Sequence, residues 1–479
     1  MGQSVYLGID IGTSSAKCLA VDERGAVLAL TAHPYPISHP HEGWAEQDPE
    51  DYWRALVDVV SRCADGLRDK GDIVSLAMST QGDTLILTDD DGTPLAPAFS
   101  WMDTRSGEEF KELLAERDSS FWYDHTGSSL NAFSSACTMR WLAKSEPELW
   151  GKTRRISWVA DFLAKRLCGE FVTDVPSASW TPLYSPFERD WSDEVIDLLH
   201  VQRESLPDAV ESGSEIGELL PEVATELHLP LGVKLIAGAF DQTAAACGAG
   251  ATVGGRAVLS CGTAWVLYSV ANKPVADNSG NIPICCHATP SEWGMVLPFT
   301  GGSAYDWLRR LFGDREGRGE SGSNPLVFIP HLYGGLCPDW RGESKGSLLG
   351  LTLSHTWPDI ELALMHGMAF EARRNLDAAE RLCGRVEAIR MVGGAGKSET
   401  WPRIIANVLN RPIEVTDLVE SACYGSAKIA AGDAAADWTA PGTLGHHEPS
   451  PNEVERECRQ YERYLRFYEA LLPIYALES

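Results

Sequence analysis

Two segments of this chain share one design and stand 250 residues apart. Val5 to Ile11 is an apolar run, Gly12-Thr13-Ser14-Ser15 is a turn of small residues, and Lys17 to Val21 is a returning apolar run. Arg256-Ala-Val-Leu-Ser-Cys-Gly-Thr-Ala-Trp-Val-Leu-Tyr-Ser-Val270 repeats the plan, with Gly262-Thr263 in the place of Gly12-Thr13. Each reads as strand, tight turn, strand. One such hairpin is also what an ordinary β-hairpin with an acidic shoulder looks like. Two of them, each opening a domain-sized segment, indicate a duplicated domain.

The turns have a chemistry in common. Small residues rich in hydroxyls and bare backbone N–H groups let a polyphosphate approach closely, because no bulky Cβ keeps the anion away. Asp10 ends the first strand, where a carboxylate can hold Mg²⁺ directly or through water. The pattern suggests ATP bound between the two halves. A net charge of −28, from 40 Lys plus Arg against 68 Asp plus Glu, excludes a nucleic-acid or membrane-surface partner. It also requires any phosphorylated ligand to be held by Mg²⁺ and backbone dipoles rather than by a basic surface. No apolar run approaches the ~20 residues of a membrane span, and no basic leader precedes a cleavage site, so a cytoplasmic protein is expected.

The length of 479 residues implies two or three domains. The expected division is 1–250, 251–440 and a helical tail 441–479 packed on the body, with the Gly-rich run Gly248–Gly255 at the first boundary. Strands are expected at Ile73–Ser79, Thr84–Thr88, Val233–Ala239 and Val386–Met391. Helices are expected at Asp51–Leu67, Thr138–Lys144, Ser157–Leu167, Gln242–Ala249, Ser303–Leu311, Ile360–Leu382, Trp401–Leu409 and Glu453–Leu472. Twelve cysteines are scattered without a C-x-x-C pair. Cys285-Cys286-His287 is a poor metal site, because adjacent side chains on a strand point to opposite faces. His33, His39 and His41 are expected in a solvated loop without carboxylate partners.

Two familiar nucleotide motifs are absent. Gly396-Lys397-Ser398 lacks the first glycine of a P-loop, since position 391 is Met391. Gly248-Ala-Gly250 lacks the third glycine of a dinucleotide fingerprint, since position 253 is Val253. Gly393-Gly394-Ala395 nevertheless follows a strand and lets a flat ring such as adenine lie against the backbone, within reach of Ser398. Asp241 ends a strand and begins a helix of small residues, which places a carboxylate at a positive helix terminus. A plain helix N-cap accounts equally well for an Asp there. Beside two phosphate-binding turns, however, a carboxylate is needed to take the proton from an attacking hydroxyl.

These residues carry a resemblance. Gly8-Ile-Asp-Ile-Gly-Thr13, Gly43-Trp-Ala-Glu-Gln-Asp-Pro-Glu-Asp-Tyr-Trp53, Trp101-Met-Asp-Thr-Arg105, Phe240-Asp241-Gln242, Ser260-Cys-Gly-Thr263, Gly346-Ser-Leu-Leu-Gly-Leu-Thr352 and Gly393-Gly-Ala395 together resemble the FGGY carbohydrate kinases, up to about Gly432. The resemblance implies an α/β fold of two ribonuclease-H-like domains, of the actin, hexokinase and sugar-kinase superfamily, closing over ATP and sugar. It implies that Asp10 organises Mg²⁺, and that Gly12, Thr13, Ser14 and Lys17 line the phosphate path. Gly262 and Thr263 would bind phosphates, and Gly302, Gly394, Ala395 and Ser398 would border the nucleotide. Asp241 would be the general base, with sugar contacts from Gln81, Asp83, Trp101, Asp103 and Gln242.

Thr80-Gln81-Gly82-Asp83-Thr84 stands where typical xylulokinases carry Gln-Met-His-Gly, and Asp241-Gln242 replaces their Asp-Asn. Asp-Gln is like glycerol kinase, which has Arg at the Gly82 position, a Glu at Asp83 and a Tyr at Phe133. Vicinal hydroxyls both donate and accept, so a short carboxylate with an amide can clamp them. A ketopentose such as xylulose is the expected substrate, and a small polyol such as glycerol or erythritol is the alternative. A catalytically inactive sugar sensor is more remote, because Asp10 and Asp241 are both present. Filament and chaperone ATPases of the same fold lack the Gly-Trp-Ala-Glu-Gln-Asp-Pro segment. The expected partner is a small sugar or polyol, and a homodimer stays open.

Overall fold

The computed structural model describes residues 3–67, 70–277, 279–312, 326–418, 420–436, 438 and 442–477. The chain folds as two compact units, the first of Met1–Thr252, Asn272–Gly294 and Glu420–Ala440 and the second of Val253–Ala271, Met295–Val419 and Pro441–Ser479.

In the first unit the opening hairpin is β1 (Ser4–Ile11) antiparallel to β2 (Ser15–Asp22), with Asp10 opposite Lys17. A third antiparallel strand, β3 (Val27–Pro34), lies at the sheet edge. Leu28 and Ala29 are partly buried against the main core while Val27 and Leu30 are exposed, so the apolar residues of β3 do not show the alternation of a half-buried strand. On the other side β1 pairs in parallel with Asp72–Thr80, which pairs in parallel with Lys234–Phe240. Ile11, Thr80 and Phe240 therefore finish at one edge of the sheet, and that edge gathers the chemistry.

The two faces of β1 have different tasks because side chains alternate along a strand. Val5, Leu7, Ile9 and Ile11 enter the main core with Tyr52, Leu56, Val59, Leu76, Phe162 and Leu163. Tyr52, Leu56, Val59 and Val60 come from α1 (Pro49–Asp65), whose start is set by Pro49 at its first position and by Asp48, which accepts from Glu50 N–H at 2.9 Å. Each such large side chain fully buried contributes about 1.5–3 kcal/mol.

The opposite face carries Gly8, against which helix Ser421–Ala431 packs: a Cβ on Gly8 would lie 1.8 Å from the Cys423 carbonyl oxygen. That close approach brings residues from the far end of the chain into the first unit. The expected consecutive division at 250 and 440 is thus replaced by a returning segment, while position 440 itself lies outside the described residues. His33 is also corrected: it sits on β3 rather than in a loop, with Nδ1 3.0 Å from the Asp58 carboxylate of α1.

The second unit repeats the hairpin. Arg256–Cys261 is antiparallel to Trp265–Ala271, and parallel to Ala388–Gly393, with Cys261 opposite Gly393. Ile413–Thr416 and Thr443–His447 continue the sheet. The 27-residue helix Trp357–Cys383 starts with a capping box in which Asp359 accepts from Thr356 N–H at 2.8 Å. Helix Pro451–Tyr475 buries Tyr461, Tyr464 and Tyr468, and Tyr464 packs on Phe370 of the long helix at 5.3 Å between ring centroids. This C-terminal helix packs within the second unit.

Candidate active site

In the first unit the turn after β1 is fastened from several sides. Gly12 N–H donates to Ser15 carbonyl at 3.1 Å, Tyr35 N–H to Ser14 carbonyl at 3.0 Å, and the Tyr35 hydroxyl to the Gly12 carbonyl. Gln47 donates from Nε2 to the Thr13 carbonyl at 2.9 Å, and the Trp101 indole N–H donates to Thr13 Oγ1 at 3.0 Å. Ser14 remains exposed. The turn is thus preorganised without any lysine at its tip.

Asp10 accepts from the Ser79 hydroxyl at 2.7 Å. Burial raises its pKa, opposed by Ser79 and Lys17, while Glu420 adds to the rise. The Lys17 ammonium is 2.8 Å from Glu420, the residue before helix Ser421–Ala431. Burial acts to lower the lysine, but Glu420 outweighs it and holds the pKa above its usual value. Asp241 is the first residue of helix Asp241–Gly248. Its carboxylate is pushed up to about 7, first by desolvation and then by the charge of Asp10, against hydrogen bonding to Gln242. Oδ1 of Asp241 is buried and has no hydrogen-bond partner among the described residues. Asp10, Lys17 and Asp241 thus form one electrostatic cluster.

Gln81 leaves the strand with its N–H on the Ile11 carbonyl at 2.9 Å. Its side chain is 2 % exposed and its Nε2 lies 3.3 Å from Gln47 Oε1 and 3.2 Å from the Tyr52 hydroxyl, whereas its Oε1 is buried without a partner. Asp83 adopts φ 55°, accepts from Ser135 N–H at 3.0 Å, from the Ser135 hydroxyl, and from the Trp158 indole N–H at 3.3 Å. It thereby caps helix Ser135–Ser145, and burial pushes its carboxyl up to about 7. Asp103 is 1 % exposed and accepts from Ala45 N–H at 2.7 Å and from Arg105 through N–H, Nε and an Nη, at 3.0, 2.9 and 2.8 Å. Arg105 also donates to Glu46 at 2.7 Å and lies 3.6 Å over the Trp44 ring. The Trp-Ala-Glu-Gln string therefore acts as a brace: three of its residues hold the Asp103–Arg105 loop, and Gln47 holds the phosphate-type turn.

In the second unit the expected nucleotide residues converge. Gly262 and Thr263 are exposed, and their carbonyls accept from the first two N–H groups of helix Gly302–Phe312, Gly302 and Ser303, both at 3.0 Å. A Cβ on Gly302 would stand 2.7 Å from the Gly262 carbonyl oxygen, and one on Gly393 2.6 Å from that of Cys261. Gly394 and Ala395 follow in a short 3₁₀ turn, Gly394–Lys397. Ser398 turns its hydroxyl toward the N–H groups of Thr400 and Trp401, at 3.2 and 3.4 Å, which starts helix Trp401–Leu409.

Ser79, Gln47, Tyr35 and Glu420 belong to these clusters and were not singled out from the sequence. Of these, only Gln47 had a local signal, as part of the Gly43–Trp53 string. Among the described residues no group of three or more His, Cys, Asp or Glu is placed to hold a metal, and His287 is buried with Nε2 3.1 Å from the Ala251 carbonyl.

This arrangement of paired sheets, turns and carboxylates has known counterparts. The N-terminal domain of the FGGY family of carbohydrate kinases matches residues 5–248, and the C-terminal domain matches 257–434. The chain belongs to this family, with its two-domain actin- and hexokinase-like fold, and is an ATP-dependent sugar kinase. It is 28% identical to the xylulose kinase of Escherichia coli (strain K12) over 489 residues, covering 98% of this chain and 100% of the relative. It is 26% identical to the gluconokinase of Bacillus subtilis (strain 168) over 501 residues, covering 98% and 95%. The crystal structure of a xyloylose kinase from Brucella ovis superposes with TM-score 0.92 at 28% identity, over 98% of this chain and 100% of that one. No helix of the described residues is long and apolar enough to cross a membrane.

Proposed function

We propose that the chain phosphorylates a hydroxyl of an uncharged ketopentose such as xylulose, with Asp241 as general base. The observation that carries this reading is the buried, unpartnered Oδ1 of Asp241, on a carboxylate whose pKa of about 7 suits proton transfer at neutral pH. The sugar oxygen bonds to the γ-phosphorus as the bond to the bridging oxygen of ADP breaks, and Asp241 takes the hydroxyl proton. Asp10, Asp83 and Asp241 are all acidic and Lys17 is already paired with Glu420, so a neutral sugar suits the cluster better than a sugar acid. The relatives named xylulose kinase agree with that preference.

Asp10 offers a hard carboxylate oxygen beside the Gly12 turn, and one carboxylate with remaining positions for phosphate and water suits Mg²⁺. We assign Asp10 as the carboxylate that would hold the ion. Bound there, Mg²⁺ would supply positive charge to the transferring phosphate. The Gly12–Ser14 turn and Lys17 would carry phosphate oxygens, with Gly262, Thr263, Gly302, Gly394, Ala395 and Ser398 on the nucleotide. Gln81, Asp83, Trp101 and Gln242 would meet the sugar. Asp103 would serve indirectly, since its carboxylate already accepts four hydrogen bonds.

A coupled ADP-release screen across ketopentoses, pentitols, tetritols, glycerol and gluconate tests the reading. Preference for a ketopentose supports it, preference for glycerol or erythritol transfers the assignment to a polyol kinase, and preference for gluconate overturns it.

A further inference from the structure

We infer that Trp180 is a substrate-contacting, specificity-determining residue, its indole filling the place a side chain at position 82 would take. This rests on the reading of the Asp10–Asp241 cluster as the site of an uncharged sugar. Gly82 stands between Gln81 and Asp83. A Cβ there would lie 2.1 Å from Cδ1 and 2.8 Å from Nε1 of Trp180, and 2.8 Å from Cε2 of Phe240. No rotamer of any larger residue avoids its own Cβ, so Gly82 and Trp180 are a matched pair. The indole stacks on Phe240 with centroids 4.5 Å apart and planes 14° from parallel. Phe240 is 4 % exposed and immediately precedes Asp241. Trp180 is therefore wedged between the Gln81–Asp83 turn and the proposed base.

Two features turn this wedge from packing into recognition. Trp180 is only half-buried, and its Nε1–H finds no acceptor among the described residues. On the residues that precede Gly82 and follow Phe240 in the chain, Gln81 Oε1 and Asp241 Oδ1 are buried and have no hydrogen-bond partner among the described residues. A donor-only N–H matched with acceptor-only oxygens is the complement of a polyhydroxylated ligand, whose oxygens accept from the first and donate to the others. The indole also offers an apolar flank for sugar C–H groups. Its rigid ring, held by Phe240 behind and by Trp180 N–H on the Ser177 carbonyl at 3.2 Å, sets how long a substrate fits.

The test is steady-state kinetics of Trp180→Phe and Trp180→Ala on the full chain, with melting temperatures. Trp180→Phe keeps the stack and loses only the N–H; it should raise KM for the best sugar about five- to tenfold, the worth of one neutral hydrogen bond, and leave KM for ATP unchanged. Trp180→Ala should raise it further and shift the order of preference toward larger sugars. Trp180→Ala should also lessen the melting-temperature cost of Gly82→Ala, the contact with Phe240 being what remains. Unchanged sugar KM in a folded Trp180→Phe, with unchanged order of preference, overturns the inference. Preference of the wild type for gluconate would overturn the uncharged-sugar reading instead, and the same KM comparison made on gluconate would still decide Trp180.

Discussion

The Lys17 ammonium rests 2.8 Å from the Glu420 carboxylate, 403 residues away along the chain. Helix Ser421–Ala431 packs on Gly8 with its N-terminus toward the phosphate-type turn, and so delivers an acid to the one lysine of the hairpin. Both charges act on Asp10, Lys17 lowering its pKa and Glu420 raising it.

Lys17→Met leaves Glu420 uncompensated beside Asp10 and removes the phosphate contact proposed for the lysine. The expected result is KM for ATP raised about tenfold, the effect of losing about 1.4 kcal/mol. Adding Glu420→Gln removes the stranded charge and should recover part of the loss. Equal KM values in the single and double variants, measured by the coupled ADP assay, would show that Glu420 does not act on this site.

Asp241→Asn keeps the shape of the proposed base and removes its ability to take a proton. kcat should fall roughly 10²–10⁴-fold with KM for ATP little changed. With the carboxyl at about 7, the base is protonated and idle below that pH and ionised above it, so the wild-type kcat/KM for sugar should climb through about pH 7. The variant's residual profile should be flat there. A wild-type profile level from pH 6 to 8 would remove Asp241 from the role.

The same shift has a stability consequence of opposite sense. A carboxyl raised from 3.8 to about 7 stabilises the fold fully below the unfolded value, and that contribution is lost as pH rises through about 7. Asp241→Asn, which cannot ionise, should therefore melt higher than wild type at pH 8, and the gain should shrink as pH falls toward 4. A gain independent of pH would assign the effect to packing alone.

Much of this site was legible in the sequence where chemistry and local pattern coincide. In the first unit Asp10, the Gly12–Ser14 turn and Asp241, and in the second Gly262-Thr263, each sit at strand ends that apolar runs mark out, and Trp401–Leu409 was expected at the limits observed. What stayed hidden depends on long-range packing. Glu420 has no local signal because its partner is set by Gly8 receiving a distant helix. Trp180 has none because its place is defined by an absent side chain at Gly82. The Gly43–Trp53 string was recognisable as a marker, yet its work as a brace on Thr13 and Asp103 emerges only from hydrogen bonds across loops.

Asp83 has two tasks that one experiment can separate. Its carboxylate caps helix Ser135–Ser145, and it stands beside Gly82 in the proposed sugar site. Asp83→Ala should lower the melting temperature, since the Ser135 N–H and hydroxyl lose their acceptor and an unsatisfied buried donor costs about 1–3 kcal/mol. It should also raise KM for sugar far more than KM for ATP. Loss of stability with both KM values moving equally would leave Asp83 as a cap only.

Glu371 makes a last, independent prediction, in the second unit. It is 1 % exposed, with Oε2 3.3 Å from His331 Nε2 and Oε1 3.0 Å from Arg374, and it accepts from the Tyr464 hydroxyl of helix Pro451–Tyr475. Burial pushes its carboxyl up, but Arg374, His331 and Tyr464 outweigh that and hold it at about 2. Its contribution is therefore complete above the unfolded value of 4.5 and is lost as pH falls from there to about 2. Glu371→Gln leaves the buried Arg374 with Asp339 as its remaining carboxylate partner and should destabilise the fold near neutral pH, by less than the about 3–5 kcal/mol of a buried charge left wholly unpaired. Urea unfolding should show the gap between variant and wild type narrowing steadily below pH 4.5, because only the wild type loses the Glu371–Arg374 pair there, while the Asp339–Arg374 pair is common to both. A gap of constant size from pH 7 to 3 would mean that Glu371 holds the C-terminal helix by shape and neutral hydrogen bonding rather than by charge.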